Sequence, residues 1–301
     1  MMGGEIMING HQEKAAVLVE ALPYIKEFCG KRVVIKYGGS AMADEKLKDA
    51  IMKDIVLMKY VGMKPIVVHG GGPAVNEMLE RVGIKSAFVN GLRVTDEETM
   101  EIVQMVLAGR INKEIATLLN SHGAKAVGLC GKDSGLLRVE KQFVKVKDGS
   151  GSVNMDIGLV GQVREVDTEI LDVLTDNGFI PVIAPIGTGP GGQSYNINAD
   201  YAASAIAGAV KADKLVLLTD VEGIMDSRGG EEKLVSSVNR QEAAQLMDEG
   251  VITGGMIPKV QCCLEALEKG VGRIHIINGT VMHSLLLEIF TESGIGTMIE
   301  N

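Results

Sequence analysis

Residues 32–73 read RVVIKYGGSAMADEKLKDAIMKDIVLMKYVGMKPIVVHGGGP, and the order of pieces in that stretch decides the fold. Arg32–Tyr37 is a β-branched, strand-like run that ends in Gly38, Gly39 and Ser40. Apolar residues at helical spacing follow over about 44–61, then a second strand at 64–69. Gly70, Gly71, Gly72 and Pro73 come next, and a helix continues to about Arg81. Strand, glycine turn and helix, taken twice in succession, imply a mainly parallel sheet with both faces covered.

The same rhythm extends outward. Residues 96–120 look helical, with Gly109 as an interruption, and 124–130 look like a strand. Residues 137–165 alternate apolar and polar about Asp148-Gly149-Ser150-Gly151, the pattern of an antiparallel hairpin. Helices are expected at 168–177, 198–210, 239–248, 256–268 and 282–290, with strands at 179–184, 214–219, 273–278 and 296–299. Before the first strand, residues 12–28 read as an amphipathic helix kinked or broken near Pro23. The fold class is therefore α/β: a three-layer α/β/α sandwich with β-hairpins and an N-terminal kinked helix. A soft boundary at the glycine-rich stretch 187–194 separates two lobes, giving segments 1–30, 31–195 and 196–301.

Composition narrows the function. The 301 residues suffice for one large domain or two lobes. With 5 Phe, 5 Tyr and no Trp, stacking platforms for single-stranded nucleic acid are scarce. A net charge of −9 argues against DNA, whose affinity comes mainly from Lys and Arg on phosphates. Cys29, Cys130, Cys262 and Cys263 form no C-x-x-C pair and read as reduced core thiols. The histidines are scattered without metal-ligand spacing, so no metal site is expected. No apolar run approaches the length of a membrane span, and no basic-then-apolar leader opens the chain, so the expected location is cytoplasmic. The 38 glycines suggest a backbone that must come close to something.

That something points to an anion. Three glycines bare the backbone N–H groups at 70–72, and Pro73 suits a first helical turn. A helix N-terminus of this kind can hold phosphate. Lys36 lies in an otherwise apolar strand just before Gly38, where it wants a partner or an edge position. Lys259, in Gly254-Gly255-Met256-Ile257-Pro258-Lys259, sits at a helix start against the macrodipole. Arg93 is a candidate carboxylate clamp, with a plain surface arginine as the alternative. Asn196, Asn198 and Asp200 cluster where a small-residue helix begins; Asn198 fits an N-cap, which leaves the other two unexplained. Gly187-Thr188-Gly189-Pro190-Gly191-Gly192 matches G-x-G-x-x-G, but it does not open directly into a helix and carries Pro190 in the turn. A nucleotide-dependent oxidoreductase is accordingly a weak rival, and no Walker A loop is present.

Six motifs in order carry a resemblance over essentially the whole chain. They are Ile35-Lys36-Tyr37-Gly38-Gly39, His69-Gly70-Gly71-Gly72-Pro73, Gly91-Leu92-Arg93-Val94-Thr95, Asn196-Ile197-Asn198-Ala199-Asp200, Leu218-Thr219-Asp220-Val221-Glu222-Gly223 and Gly254-Gly255-Met256-Ile257-Pro258-Lys259. The set resembles the amino-acid kinase family, and within it the arginine-inhibitable acetylglutamate kinases. Glutamate 5-kinases, carbamate kinases and a silent arginine-binding regulator are the alternatives. The resemblance implies an N-terminal lobe for N-acetyl-L-glutamate and a C-terminal lobe for ATP. The product would be N-acetyl-L-glutamyl 5-phosphate, in arginine biosynthesis.

It also implies residue roles. Lys36 and Lys259 would flank the phosphoryl group, oriented by Asp200. Gly71, Gly72, Arg93 and Asn196 would bind acetylglutamate, and Gly38 and Gly39 the phosphate. Thr219, Asp220, Gly223 and Met256 would line the nucleotide pocket, and Mg²⁺ would ride on ATP. The acceptor carboxylate is already ionised at neutral pH, so no general base is needed, and His69 reads as structural. The N-terminal helix would interlace dimers into a hexamer, and His275, Glu288 and Gly294 would contact inhibitory arginine. A PII-type nitrogen-signalling protein is a candidate partner that no residue here decides.

Overall fold

The β-branched runs before the two glycine turns do become neighbouring parallel strands. The computed structural model describes residues 16, 19–42, 44–148 and 151–301. Among the described residues, eight strands build the central sheet: β1 (Arg32–Tyr37), β2 (Lys64–His69), β3 (Ala126–Cys130), β4 (Ile180–Ala184), β5 (Lys214–Thr219), β6 (Ser237–Asn239), β7 (Arg273–Asn278) and β8 (Thr297–Glu300). They lie side by side in the order β6-β8-β7-β5-β1-β2-β4-β3. All adjacent pairs are parallel except β7 and β8.

Strand alternation sends successive side chains to opposite faces. Val33, Ile35 and Tyr37 of β1 join one core, with the helices Glu45–Tyr60, Gly72–Arg81 and Ser284–Phe290. Val34 joins the other, with the helices Ala199–Ala209, Arg240–Asp248 and Met256–Glu268. Lys36 shares the parity of Val34, so it faces the helix that begins at Ala199. β1 is central rather than an edge, which removes the solvent-facing alternative for this lysine.

Three local expectations are revised. Residues 19–28 are helical straight through Pro23, so the proline does not break them; the earlier part of the expected helix lies mostly outside the described residues. Gly109 does not interrupt its helix either: Glu97–Gln104 and Asn112–Ser121 are joined by a π-helical segment, Met105–Ile111. Cys262 and Cys263 are buried and Cys130 is half-buried, but Cys29 is exposed rather than in the core.

The hairpin expected at 137–165 is present as Leu137–Asp148 paired with Gly151–Val166. It closes into a small barrel with Ile186–Thr188 and Ser194–Asn196, a closure the sequence pattern did not reveal. The G-x-G-x-x-G match is the turn between those last two strands, so no helix opens from it and the dinucleotide reading fails. Two of its glycines have packing reasons: a Cβ at Gly187 would collide with Val139, and one at Gly189 with Tyr195.

One buried acid ties the two ends of the chain together. Asp54, on the helix Glu45–Tyr60, is fully buried and lies 2.6 Å from His283 Nδ1. His283 precedes the helix Ser284–Phe290 with φ 58°. Burial pushes the Asp54 carboxyl up to about 6, against the pull of His283. A raised folded-state pKa gives stability that is present below the unfolded value near 3.8 and lost as pH rises through about 6. Asp54→Asn should therefore gain on the wild type by up to about 3 kcal/mol between pH 4 and pH 7 in urea unfolding. A difference that stays flat with pH would contradict the buried-acid account.

Candidate active site

The site is assembled where the carboxyl ends of β1, β2 and β5 meet, the place where open parallel sheets bind ligands. Gly38 follows β1 and Gly70 follows β2, and the two turns lie so close that a Cβ on either would touch the Cα of the other. A Cβ on Gly38 would also sit 3.2 Å from Lys36 Nζ, so its absence opens the approach to the ammonium.

Asp200 lies at the second position of the helix Ala199–Ala209, where the macrodipole favours an acid. Asn198 caps that helix, accepting from Asp200 N at 2.8 Å and Tyr201 N at 3.4 Å, as its sequence position suggests. The Asp200 carboxylate is shared between two lysines. Lys259 Nζ donates to Oδ2 at 2.7 Å, and Lys36 Nζ meets Oδ1 at 2.9 Å. Burial by itself would raise the Asp200 pKa, but the Lys36 and Lys259 charges outweigh it and hold the carboxyl below its usual range. Lys259 thus has the reason it needs to sit in the first turn of the helix Met256–Glu268. Lys259 and Asp200 border an open cleft of about 1070 Å³, together with Gly91, Leu92 and Gly255, and Lys36 reaches it through the shared carboxylate.

A second cluster lies on the β2 side. Arg93 is on a short ribbon, Leu92–Arg93 against Phe88–Val89, and is only 8% exposed. Its guanidinium stacks over Phe88 at 4.8 Å and donates to Ser86 Oγ at 2.8 Å and to the Gly72 carbonyl at 3.3 Å. Burial lowers its pKa. Among the described residues it forms no ion pair with an acid, so a buried cation is left to receive one. Asn196 Nδ2 reaches Thr95 Oγ1 at 3.4 Å, and that hydroxyl donates to Arg93 O at 2.9 Å. Asn196, Thr95, Arg93 and Gly72 are therefore one connected set. Ser86 and Phe88 escaped the sequence reading because only the ribbon pairing brings them to the arginine.

The other candidates divide. Thr219 closes β5 and donates to Asp220 Oδ1 at 3.2 Å, and Met256 opens its helix. Gly223, at φ 153°, is explained by packing, since a Cβ there would collide with Thr297. His275 and Glu288 do meet, with Nδ1 and Oε1 2.6 Å apart, and Glu288 Oε2 accepts from Ile295 N and Gly296 N just past Gly294. Lys214, unremarked in the sequence, sits 3.0 Å from His275 Nε2 and 4.5 Å over the Phe28 ring. Its signal was available: like Lys36, it is a lysine in an apolar strand. Burial pushes it down to about 8. These groups line a separate cavity with Tyr24 and Arg273.

Two lysines and paired glycine turns at strand ends, facing a cation with no acid of its own, define a phosphotransferase-like site for an anionic acceptor. Residues 31–278 match the amino acid kinase family, and the chain belongs to that family. It is 60% identical over 288 residues to the acetylglutamate kinase of Heliobacterium modesticaldum, covering 95% of this chain and 98% of that one. The acetylglutamate kinase of Symbiobacterium thermophilum is 61% identical over 287 residues, with 95% and 97% covered. Among solved structures, N-acetylglutamate synthase from Neisseria gonorrhoeae, complexed with coenzyme A and N-acetyl-glutamate, superposes with a TM-score of 0.82 at 29% identity. The match covers 95% of this chain but 63% of the synthase. Carbamate kinase from Giardia lamblia shares the fold at 18% identity and a TM-score of 0.62.

Removing the shared acid tests the cluster without reference to any substrate. Asp200→Asn leaves two ammonium groups facing each other, and the expected loss is about 3 kcal/mol in urea unfolding. An unchanged midpoint would show that the lysines do not depend on it.

Proposed function

We propose that the protein transfers the γ-phosphoryl group of ATP to the γ-carboxylate of N-acetyl-L-glutamate, giving ADP and N-acetyl-L-glutamyl 5-phosphate in arginine biosynthesis. The observation that carries this is the pair Lys36 and Lys259, drawn from β1 and the helix Met256–Glu268 onto one Asp200 carboxylate, beside the turns at Gly38 and Gly70. The near full-length identity to acetylglutamate kinases supports the choice of acceptor.

The chemistry needs charge neutralisation more than proton transfer. The acceptor carboxylate is ionised at neutral pH, and it must approach an anionic phosphate. Lys36, Lys259 and the Gly71 and Gly72 N–H groups would stabilise the charge that spreads over the phosphoryl oxygens. Asp200 would hold the lysines apart and oriented, while Arg93 and Asn196 would grip the α-carboxylate end. Thr219, Asp220 and Met256 would meet the nucleotide. Among the described residues no three His, Cys, Asp or Glu gather as a metal cage. Mg²⁺ would arrive as part of the ATP substrate, held by phosphates and water.

In a coupled ADP-release assay, acetylglutamate should be preferred strongly over glutamate, aspartate and carbamate. A preference for an unacetylated acceptor would contradict the assignment. Arg93→Lys should raise the KM for acetylglutamate on the order of tenfold to a hundredfold, because the bidentate grip on a carboxylate is lost; an unchanged KM would remove its clamp role.

Regulation is a separate part of the proposal. The cavity with Lys214, His275 and Glu288 offers an ionised carboxylate: burial would raise Glu288, but His275 and the Ile295 N–H hold it below its usual value. Such a group suits a guanidinium or α-amino cation, and the gonococcal synthase was also solved complexed with L-arginine. The helix over 19–28 lends Tyr24 and Phe28 to this cavity while Val19 and Leu22 remain outward, which supports a role in assembly. Arginine at millimolar concentration should inhibit sigmoidally, and the mass in solution should be near six subunits. An arginine-insensitive dimer would refute both. No helix among the described residues is long and apolar enough to cross a membrane.

A further inference from the structure

His69 has no role in the chemistry above, yet its ring is fixed on both sides. It ends β2, is fully buried, and burial pushes its pKa down to about 4, so it is neutral near pH 7. Its Nδ1 lies 2.8 Å from the Gly70 carbonyl oxygen. A carbonyl only accepts, so Nδ1 carries the one proton and Nε2 presents a lone pair. Facing that lone pair, 3.2 Å away, is Nδ2 of the buried Asn112. The same Nδ2 also reaches Leu129 O at 3.0 Å in β3 and Val182 O at 2.8 Å in β4, so its two hydrogens are shared among three acceptors. Two carbonyls at that atom fix the amide orientation, because the flipped form would set an oxygen against both.

The consequence lies one peptide further on. A trans peptide points its C=O and N–H in opposite directions. Anchoring the Gly70 carbonyl on His69 therefore sets the direction of the Gly71 N–H, which has no acceptor among the described residues. Gly71 sits at φ 154° and ψ 21°, and a Cβ there would collide with Leu107 and Ile111. Both of those side chains come from the π-helical segment, and Asn112 is the residue after it. One widened helical turn thus confines the glycine and anchors the histidine that aims it, in keeping with the tendency of π segments to mark functional sites.

We propose that His69 and Asn112 are positioning residues for phosphoryl transfer, which aim the Gly71 N–H at the oxygen that gains charge by holding the Gly70 carbonyl from behind. The inference rests on the kinase reading given above. It assigns a task to a histidine that neither touches substrate nor exchanges a proton with it.

Two substitutions separate positioning from packing. An asparagine at 69 places its amide near the Nδ1 position and can still donate to the Gly70 carbonyl. A glutamine reaches toward the Nε2 position and cannot. His69→Gln should lower kcat about tenfold to a hundredfold with both KM values within about twofold, a fraction of what losing an oxyanion donor outright does. His69→Asn should recover kcat to within about threefold of wild type. Wild-type kcat in His69→Gln, or an Asn variant no better than the Gln variant, would overturn the proposal. Imidazole ¹⁵N NMR on the intact wild-type protein supplies a readout independent of variant folding and of activity. The expected result is an Nδ1–H tautomer that does not titrate between pH 5 and pH 8. An Nε2–H tautomer, or titration near the ordinary value of about 6.5, would overturn it. A wild-type protein that releases no ADP with acetylglutamate would instead refute the kinase reading, with the tautomer still measurable.

Discussion

The arrangement depends on one buried carboxylate between two ammonium groups. Lys36 comes from the central strand and Lys259 from a helix some 220 positions later, a separation of 223 residues by number, and only Asp200 brings them to one place. Each charge would be costly to bury alone. Together they are tolerated: the acid is held ionised by the lysines, and a lysine is held in a helical first turn that the macrodipole opposes. The outcome is a locally positive cleft in a chain whose net charge is −9.

Backbone does the remaining work around that cleft. In the turns after β1 and β2, a side chain at Gly38 would crowd the Lys36 ammonium, and one at Gly71 would collide with Leu107 and Ile111. The unusual backbone at Gly71 is matched by an unusual helix behind it, Met105–Ile111, so the strain of one is supported by the geometry of the other. The small barrel and the ribbon carrying Arg93 cover the β2 side, where Asn196 and Thr95 join the two. A rigid sheet therefore presents fixed donors, and the polar groups that must contact an acceptor sit on the connections between its strands.

Much of this was legible in the sequence, for reasons that can be named. Short apolar, β-branched runs bounded by turn residues are strong local signals, and the expected strands at 32–37, 64–69, 214–219 and 273–278 match β1, β2, β5 and β7. Lys36 and Lys259 stood out because each breaks a local rule, a charge in an apolar strand and a cation at a helix start. The less legible features depend on distant partners. The barrel closes through pairing between residues such as Arg138 and Thr188, which no window reveals. Gly109 looked like a breaker, but tertiary packing of the long helix absorbed it as a π turn. Ser86, Phe88, Asn112 and Lys214 look ordinary until the fold sets them beside Arg93, His69 and His275. Cys29 lies at the end of the first helix, where burial alternates by face, and composition alone could not place it on the exposed side.

The central claim is that the two lysines act on charge that appears only during transfer. Calorimetric binding of ADP, acetylglutamate and aluminium fluoride, a mimic of the transferring phosphoryl group, tests it most directly. The account predicts a tight ternary complex in the wild type. In Lys36→Ala and Lys259→Ala, ADP and acetylglutamate should each bind nearly as before, while the added affinity of the mimic is lost. If either variant assembles the ternary complex as tightly as the wild type, that lysine does not stabilise the transferring group.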